Sequence, residues 1–197
     1  MQQRAFDQEK FVNAILFFAK HANPKQLGST KLNKLLYHSD FLHFKRYGRP
    51  IIGDRYVKMP YGPVPSTAYA IIVGASAKLA ERPSKTNVLT GRVRVREVKI
   101  TDDKKLQKIE ALVEPDLAVF SESELEVLQE IATEYKNRTG TRLSKDSHEP
   151  DQPWSQTDYL QVIRYELVLD ESKDSLPNSY ITHWKNERRD LLEVLAA

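Results

Sequence analysis

Apolar residues recur at helical spacing through the first quarter of the chain. From Phe11, the positions Ala14, Ile15, Phe18, Ala19 and Ala22 follow the i, i+3, i+4, i+7 rule, with Asp7 ahead of them as a cap and Asn23-Pro24 behind them as a stop. A second helix is expected after Gly28-Ser29-Thr30, which supplies its N-cap, running to about Tyr47 with Gly48 in the C-terminal cap position. At about 100° per residue, Leu32, Leu35, Leu36, Leu42 and Tyr47 share one side, and Tyr37, Phe41 and Phe44 widen the arc. Only a narrow strip of Lys31, Lys34, His38 and Lys45 is left for water, which places this helix at the centre of a domain.

The pattern then changes. Between Arg49 and Pro65 four prolines and two glycines predict a structured loop, with a short strand at Tyr56 to Met59. Ser66 caps a third helix through Tyr69, Ile71, Ile72 and Leu79, weakened by Gly74. Valines alternate with arginines between Asn87 and Ile100, arguing for strands, and Lys108 to Val113 supplies a pairing partner. Ser121, Ser123 and Glu124 introduce a helix carrying Leu125, Leu128, Ile131, Ala132 and Tyr135, closed by Gly140. A short helix at Thr141 to His148 precedes Pro150, Pro153 and Trp154, and Ser179 to Leu195 is a last helical candidate. The expected fold is α+β, predominantly helical, one domain over residues 1–197 with a small antiparallel sheet.

Composition narrows the setting more than the chemistry. Of 197 residues, 40% are hydrophobic and 29% charged, an ordinary globular balance with room for one real core. There is no cysteine, no secretory signal pattern at the N-terminus and no apolar run long enough to span a bilayer, so a cytoplasmic protein is expected. Residues 20–58 hold nine basic side chains against two acidic ones, a net charge of +7, while the rest of the chain is net negative. That asymmetry favours an acidic partner, protein or nucleic acid.

Asp40 is the most informative single residue, because it falls between Leu36 and Phe44 inside the apolar arc, where a carboxylate must be paired. It reads either as a general base or as an anchor accepting bonds from His43, an arginine, or amides of the Gly48 to Tyr56 loop; no nucleophile or second carboxylate beside it favours the base. His38 and His43 are five apart and project about 140° from one another, which argues against a shared metal and for a bond from His43 to Asp40. The basic residues with Tyr37, Phe41 and Phe44 nearby suggest nucleic-acid binding only weakly, since the aromatics fit a core and no known nucleic-acid-binding pattern is present. Phosphate-loop, nucleophile-elbow and zinc-protease signatures are missing, so neither catalysis nor a cofactor is expected.

The run Lys31-Leu32-Asn33-Lys34-Leu35-Leu36-Tyr37-His38-Ser39-Asp40, with Gly48-Arg49-Pro50-Ile51, Gly53-Asp54-Arg55-Tyr56 and Tyr61-Gly62-Pro63-Val64, resembles the signature of the Panacea domain, the SocA-like or phage GepA-like antitoxin family. Leu143-Ser144, Ser147-His148 and Trp154 resemble its C-terminal pattern. The resemblance implies a helical domain encoded beside a toxin that it neutralises, usually by direct binding. Partner toxins of the family are diverse, including translation inhibitors that modify tRNA and membrane-disrupting peptides. Lys31, Leu35, Tyr37, Asp40, His43, Gly48, Pro50, Gly53, Asp54, Tyr56, Gly62, Pro63, His148 and Trp154 are expected to be motif residues serving the scaffold. Lys34, His38, Lys45, Arg49, Arg55, Lys58 and Tyr61 are the candidate partner contacts. The alternative reading is a nucleic-acid-binding regulator using residues 20–58, and a hydrolase or metalloenzyme built on Asp40 and a histidine is a third.

Overall fold

Asp7 accepts a hydrogen bond from the Lys10 amide and starts helix α1 (Gln8–His21), whose periodic positions Phe11, Ile15 and Phe18 are fully buried. The computed structural model describes residues 5–76, 87–101, 104–170, 172–177 and 179. Helix α2 (Ser29–Tyr47) begins at Gly28 without a side-chain cap and ends at Gly48, which takes the left-handed conformation at φ 71° and donates its amide to the Phe44 carbonyl. The helix packs on α1, the β-elements and the later helices alike, so it occupies the centre, as an apolar arc of that width requires.

The proline-rich segment folds as a hairpin rather than a loop with one strand. Strand β1 (Tyr56–Met59) pairs antiparallel with β2 (Gly62–Pro65), Tyr56 opposite Pro65 and Met59 opposite Gly62. Prolines hid the second strand from the sequence, but β2 is an edge, where a missing N–H breaks no ladder. The free side of β1 is covered by the later chain: Lys58 donates to the Gln161 carbonyl, Leu160 to Lys58, and Ile163 to Tyr56. A second two-stranded sheet joins β3 (Val93–Thr101) to β4 (Lys104–Ala111), so the described residues hold two small antiparallel sheets instead of one. Val93, Val95 and Ile109 turn inward, while Arg94 and Arg96 face solvent.

Helix α3 (Ser66–Gly74) ends earlier than expected, and residues 77–86, including Leu79, lie outside the described residues, as does the helical candidate beyond Ser179. Ser66 is its first helical residue and not its cap; that role passes to a carboxylate distant in sequence. Helix α4 (Glu122–Glu134) opens with a capping box between Ser121 and Glu124. Gly140 does not close it: α4 stops at Tyr135, and Gly140 opens α5 (Gly140–Asp146) behind the Thr139 cap. Short 3-10 turns at Leu117–Val119 and Tyr165–Val168 complete the chain order, giving an α+β fold dominated by helices.

Two groups of buried side chains share α2. The larger one draws on α1, α2, α4, β3 and β4; the smaller gathers Tyr37, Phe41, Phe44, Tyr56, Ile163 and Tyr165. Tyr47, placed on the apolar side by its angle, is instead 42% exposed at the helix end, its hydroxyl 3.4 Å from Glu126.

Candidate functional site

Asp40 is fully buried and surrounded by donors. Its Oδ1 accepts the amides of Ile51 and Ile52 at 2.8 Å each, and its Oδ2 accepts the Gly53 amide at 3.2 Å and the Tyr56 hydroxyl at 3.0 Å. The Tyr165 hydroxyl lies 3.1 Å from the same oxygen and 2.7 Å from the Asp54 carbonyl, and its single proton serves one of them at a time. Burial lifts the Asp40 carboxyl to about 6, against the pull of the bonds from Ile52, Tyr56, Tyr165 and Ile51. The carboxylate therefore clamps the turn after Gly48 onto α2.

A second carboxylate does the same one step later. Asp54 is 1% exposed and accepts the amides of Arg55 at 2.7 Å, Thr67 at 3.0 Å and Ala68 at 2.7 Å, capping α3 from twelve residues or more away. Gly53, at φ 73°, takes the left-handed conformation between the amides that Asp40 holds and Asp54. Pro50, at the start of this turn, is buried.

His43 does not bond to Asp40. Its Nδ1 lies 2.6 Å from the Arg49 carbonyl and its Nε2 3.1 Å from the Ser123 hydroxyl, so it ties α2 to the loop and to the start of α4. At i+3 on the helix, the ring leans toward the C-terminal loop, whereas Asp40 is already saturated by amides.

The lysine strip is also corrected. Lys31 and Lys34 are 1% and 2% exposed, each donating to a carbonyl: Lys31 to Lys136 at 2.8 Å and Lys34 to Pro63 at 2.8 Å. Burial lowers both, Lys34 to about 7. The turn after α4, the hairpin and α5 cover what the bare helix would have shown to water. His38 is half-buried against Tyr135, its Nε2 without a partner among the described residues, and burial holds it down near 4, with Lys34 adding to the effect. Lys45 pairs with Asp170 at 2.7 Å.

Other motif residues fall in place around these. Leu35, Tyr37 and Tyr56 are buried, and Gly62 at φ 96° lets the hairpin turn lie on Lys34. His148 stacks on Trp154 with ring centroids 3.8 Å apart; the Trp154 indole donates to the Met59 carbonyl, and Lys58 sits over its face while donating to the Thr157 carbonyl. Of the candidate contacts, Arg49, Arg55 and Tyr61 stand exposed, Tyr61 most of all at 80%.

Sequence reasoning missed Tyr165, which completes the Asp40 cluster from 125 residues away, and Ser123 as the partner of His43. Neither has a local signal. Among the described residues no group of three histidine or acidic side chains could hold a metal ion, and no helix is long and apolar enough to cross a membrane.

Residues 32–155, well over half of the chain, match the family model described as antitoxin SocA-like, Panacea domain. No curated protein and no solved structure matches the chain.

Proposed function

The chain belongs to the SocA-like Panacea-domain antitoxin family, and from that premise we propose that it neutralises a cognate toxin, encoded nearby, by binding it directly. The observation that carries the reading is how the family signature is used. Asp40, Asp54, His43 and Lys31 spend their polar atoms on the chain's own backbone and on the hydroxyls of Tyr56, Tyr165, Ser66 and Ser123, and Lys34 donates to the Pro63 carbonyl. Groups so engaged support a scaffold that presents a surface, not one that performs chemistry.

A nucleic-acid-binding regulator draws less support. Of the nine basic residues between 20 and 58, Lys20, Lys45 and Arg46 are paired with Glu114, Asp170 and Glu130, and Lys31, Lys34 and Lys58 bond to carbonyls. Counterion release needs cations free to meet phosphates.

Co-expression with the product of the adjacent gene tests the proposal. Rescue of growth with co-purification of a stoichiometric complex is expected. Failure of both would overturn it, and retention of operator DNA at physiological salt would favour the regulator instead.

A further inference from the structure

A trough of about 690 Å³ lies between the β1–β2 hairpin, the first turns of α2 and the start of α3. Val57, Met59 and Val64 give it an apolar floor. Tyr61, Tyr69 and Tyr159 also line it and are 80%, 46% and 58% exposed, an amount of aromatic surface that a free domain rarely leaves to water without use. Beside Tyr159, Leu160 is itself exposed and holds φ at 63°, the single positive φ outside glycine among the described residues. Such a conformation costs a leucine about 1 kcal/mol or more, and here it accompanies the display of two adjacent apolar side chains.

The polar part of the lining is one-sided. No acidic residue lines the trough, and its one charged residue is Lys34, a buried cation whose only bonded acceptor among the described residues is the Pro63 carbonyl. Next to it Asn33, 5% exposed, has a side-chain oxygen with no donor among the described residues. The complement of a buried, under-bonded cation is a carboxylate, and the complement of an orphaned amide oxygen is an N–H. Strand addition is closed off, because Pro63 and Pro65 deprive β2 of two donors, so recognition here runs through side chains.

We propose that this trough docks an apolar segment of the partner toxin that carries an acidic side chain, its carboxylate toward Lys34 and its flanking apolar groups against the three tyrosines. The proposal rests on the antitoxin reading above. Burial holds Lys34 near 7, so the amine is about half protonated at neutral pH, and a carboxylate beside it would raise that fraction.

The full chain and the product of the adjacent gene provide the first test. Tyr61→Ala and Tyr159→Ala should melt as the wild type does, since both side chains lie in solvent, and each should weaken the complex at least tenfold. Leu117→Ala, at an exposed apolar position outside the trough, should leave affinity within twofold. A wild-type complex that both tyrosine variants keep within twofold overturns the docking site and leaves the antitoxin reading standing. If the wild type forms no complex at all, the antitoxin reading is what fails, and the trough is decided by blocked valine–glutamate–valine, valine–glutamine–valine and valine–lysine–valine peptides titrated into labelled protein. Amide shifts at Val57, Tyr61 and Tyr69 should be largest for the glutamate peptide, and Lys34→Met, which keeps the stem, should erase its lead over glutamine. Equal shifts for the three peptides, or none at millimolar concentration, overturn the proposal.

Discussion

Asp40 shows what a single position reveals and what it conceals. Its angle on α2 told that a carboxylate sits inside an apolar arc and left His43, an arginine or the amides of the Gly48 to Tyr56 loop as its partners; the loop amides meet it, joined by the hydroxyls of Tyr56 and, from far along the chain, Tyr165. Asp40→Ala strands three buried amides and the Tyr56 hydroxyl, and an expected loss of about 3–5 kcal/mol follows, read from urea unfolding. Asp40→Asn keeps one oxygen but brings an NH₂ among donors and should recover less than half of that; toxin binding should fall only with the folded fraction. His38 allows a cleaner pH test. Its folded-state pKa of about 4 lies below the ordinary imidazole value, so the unfolded chain binds the proton first, and stability is lost as pH falls from about 6.5 toward 4. Lys34 and Arg138 push it the same way and Asp146 opposes them. His38→Phe retains the ring against Tyr37 and Tyr135 and removes the titration. Between pH 7 and pH 4 it should lose about 3 kcal/mol less than the wild type; parallel stability curves would count against the assignment.

At the scale of elements, periodicity served the helices and failed the hairpin. Phe11, Ile15 and Phe18 lie on a face that local spacing alone defines, and the capping box of Ser121 and Glu124 closes within one turn. The hairpin is specified by tertiary contact instead: Asp54 caps α3 across the whole of it, and Gly62 is dictated by the chain above which it passes. A Cβ on Gly62 would stand 2.5 Å from Lys34 Nζ and 2.7 Å from Ser147 Oγ, in a backbone conformation of φ 96° that already disfavours alanine. Gly91 shares the positive φ, at 75°, but nothing lies within 4 Å of its Cβ position. Gly91→Ala should therefore cost about 1 kcal/mol from strain alone, and Gly62→Ala about 1 kcal/mol more from crowding. Thermal melts of the two variants separate the terms, each kcal/mol being worth about 2–4 °C in a chain of this size.

For the molecule as a whole, the sequence reported polarity but not coverage. Lys31 and Lys34 read as a solvated strip because a helix in isolation would wet them; the Lys136 carbonyl and the hairpin turn remove that water. The same logic bears on where the folding unit ends. The family match spans residues 32–155, yet the larger core takes Phe11, Val12, Ile15, Leu16 and Phe18 from α1, and the smaller takes Ile163 and Tyr165 from the later chain. We therefore propose that the folding unit extends beyond the matched segment at both ends. Removing residues 1–31 and 156–197 would expose apolar faces of α2 and α4 and uncover the edge of β1, now bonded to residues 160–163. Each buried large side chain contributes about 1.5–3 kcal/mol, so the seven named here together contribute about 10–20 kcal/mol before the share that a compact denatured chain already buries, comparable to the whole 5–15 kcal/mol margin of a typical domain. A fragment of residues 32–155 is accordingly expected to show no cooperative melt by circular dichroism and to elute as aggregate, while residues 5–179 melt cooperatively. A monomeric 32–155 fragment with a sharp transition would show instead that α2 and its motif close a core of their own.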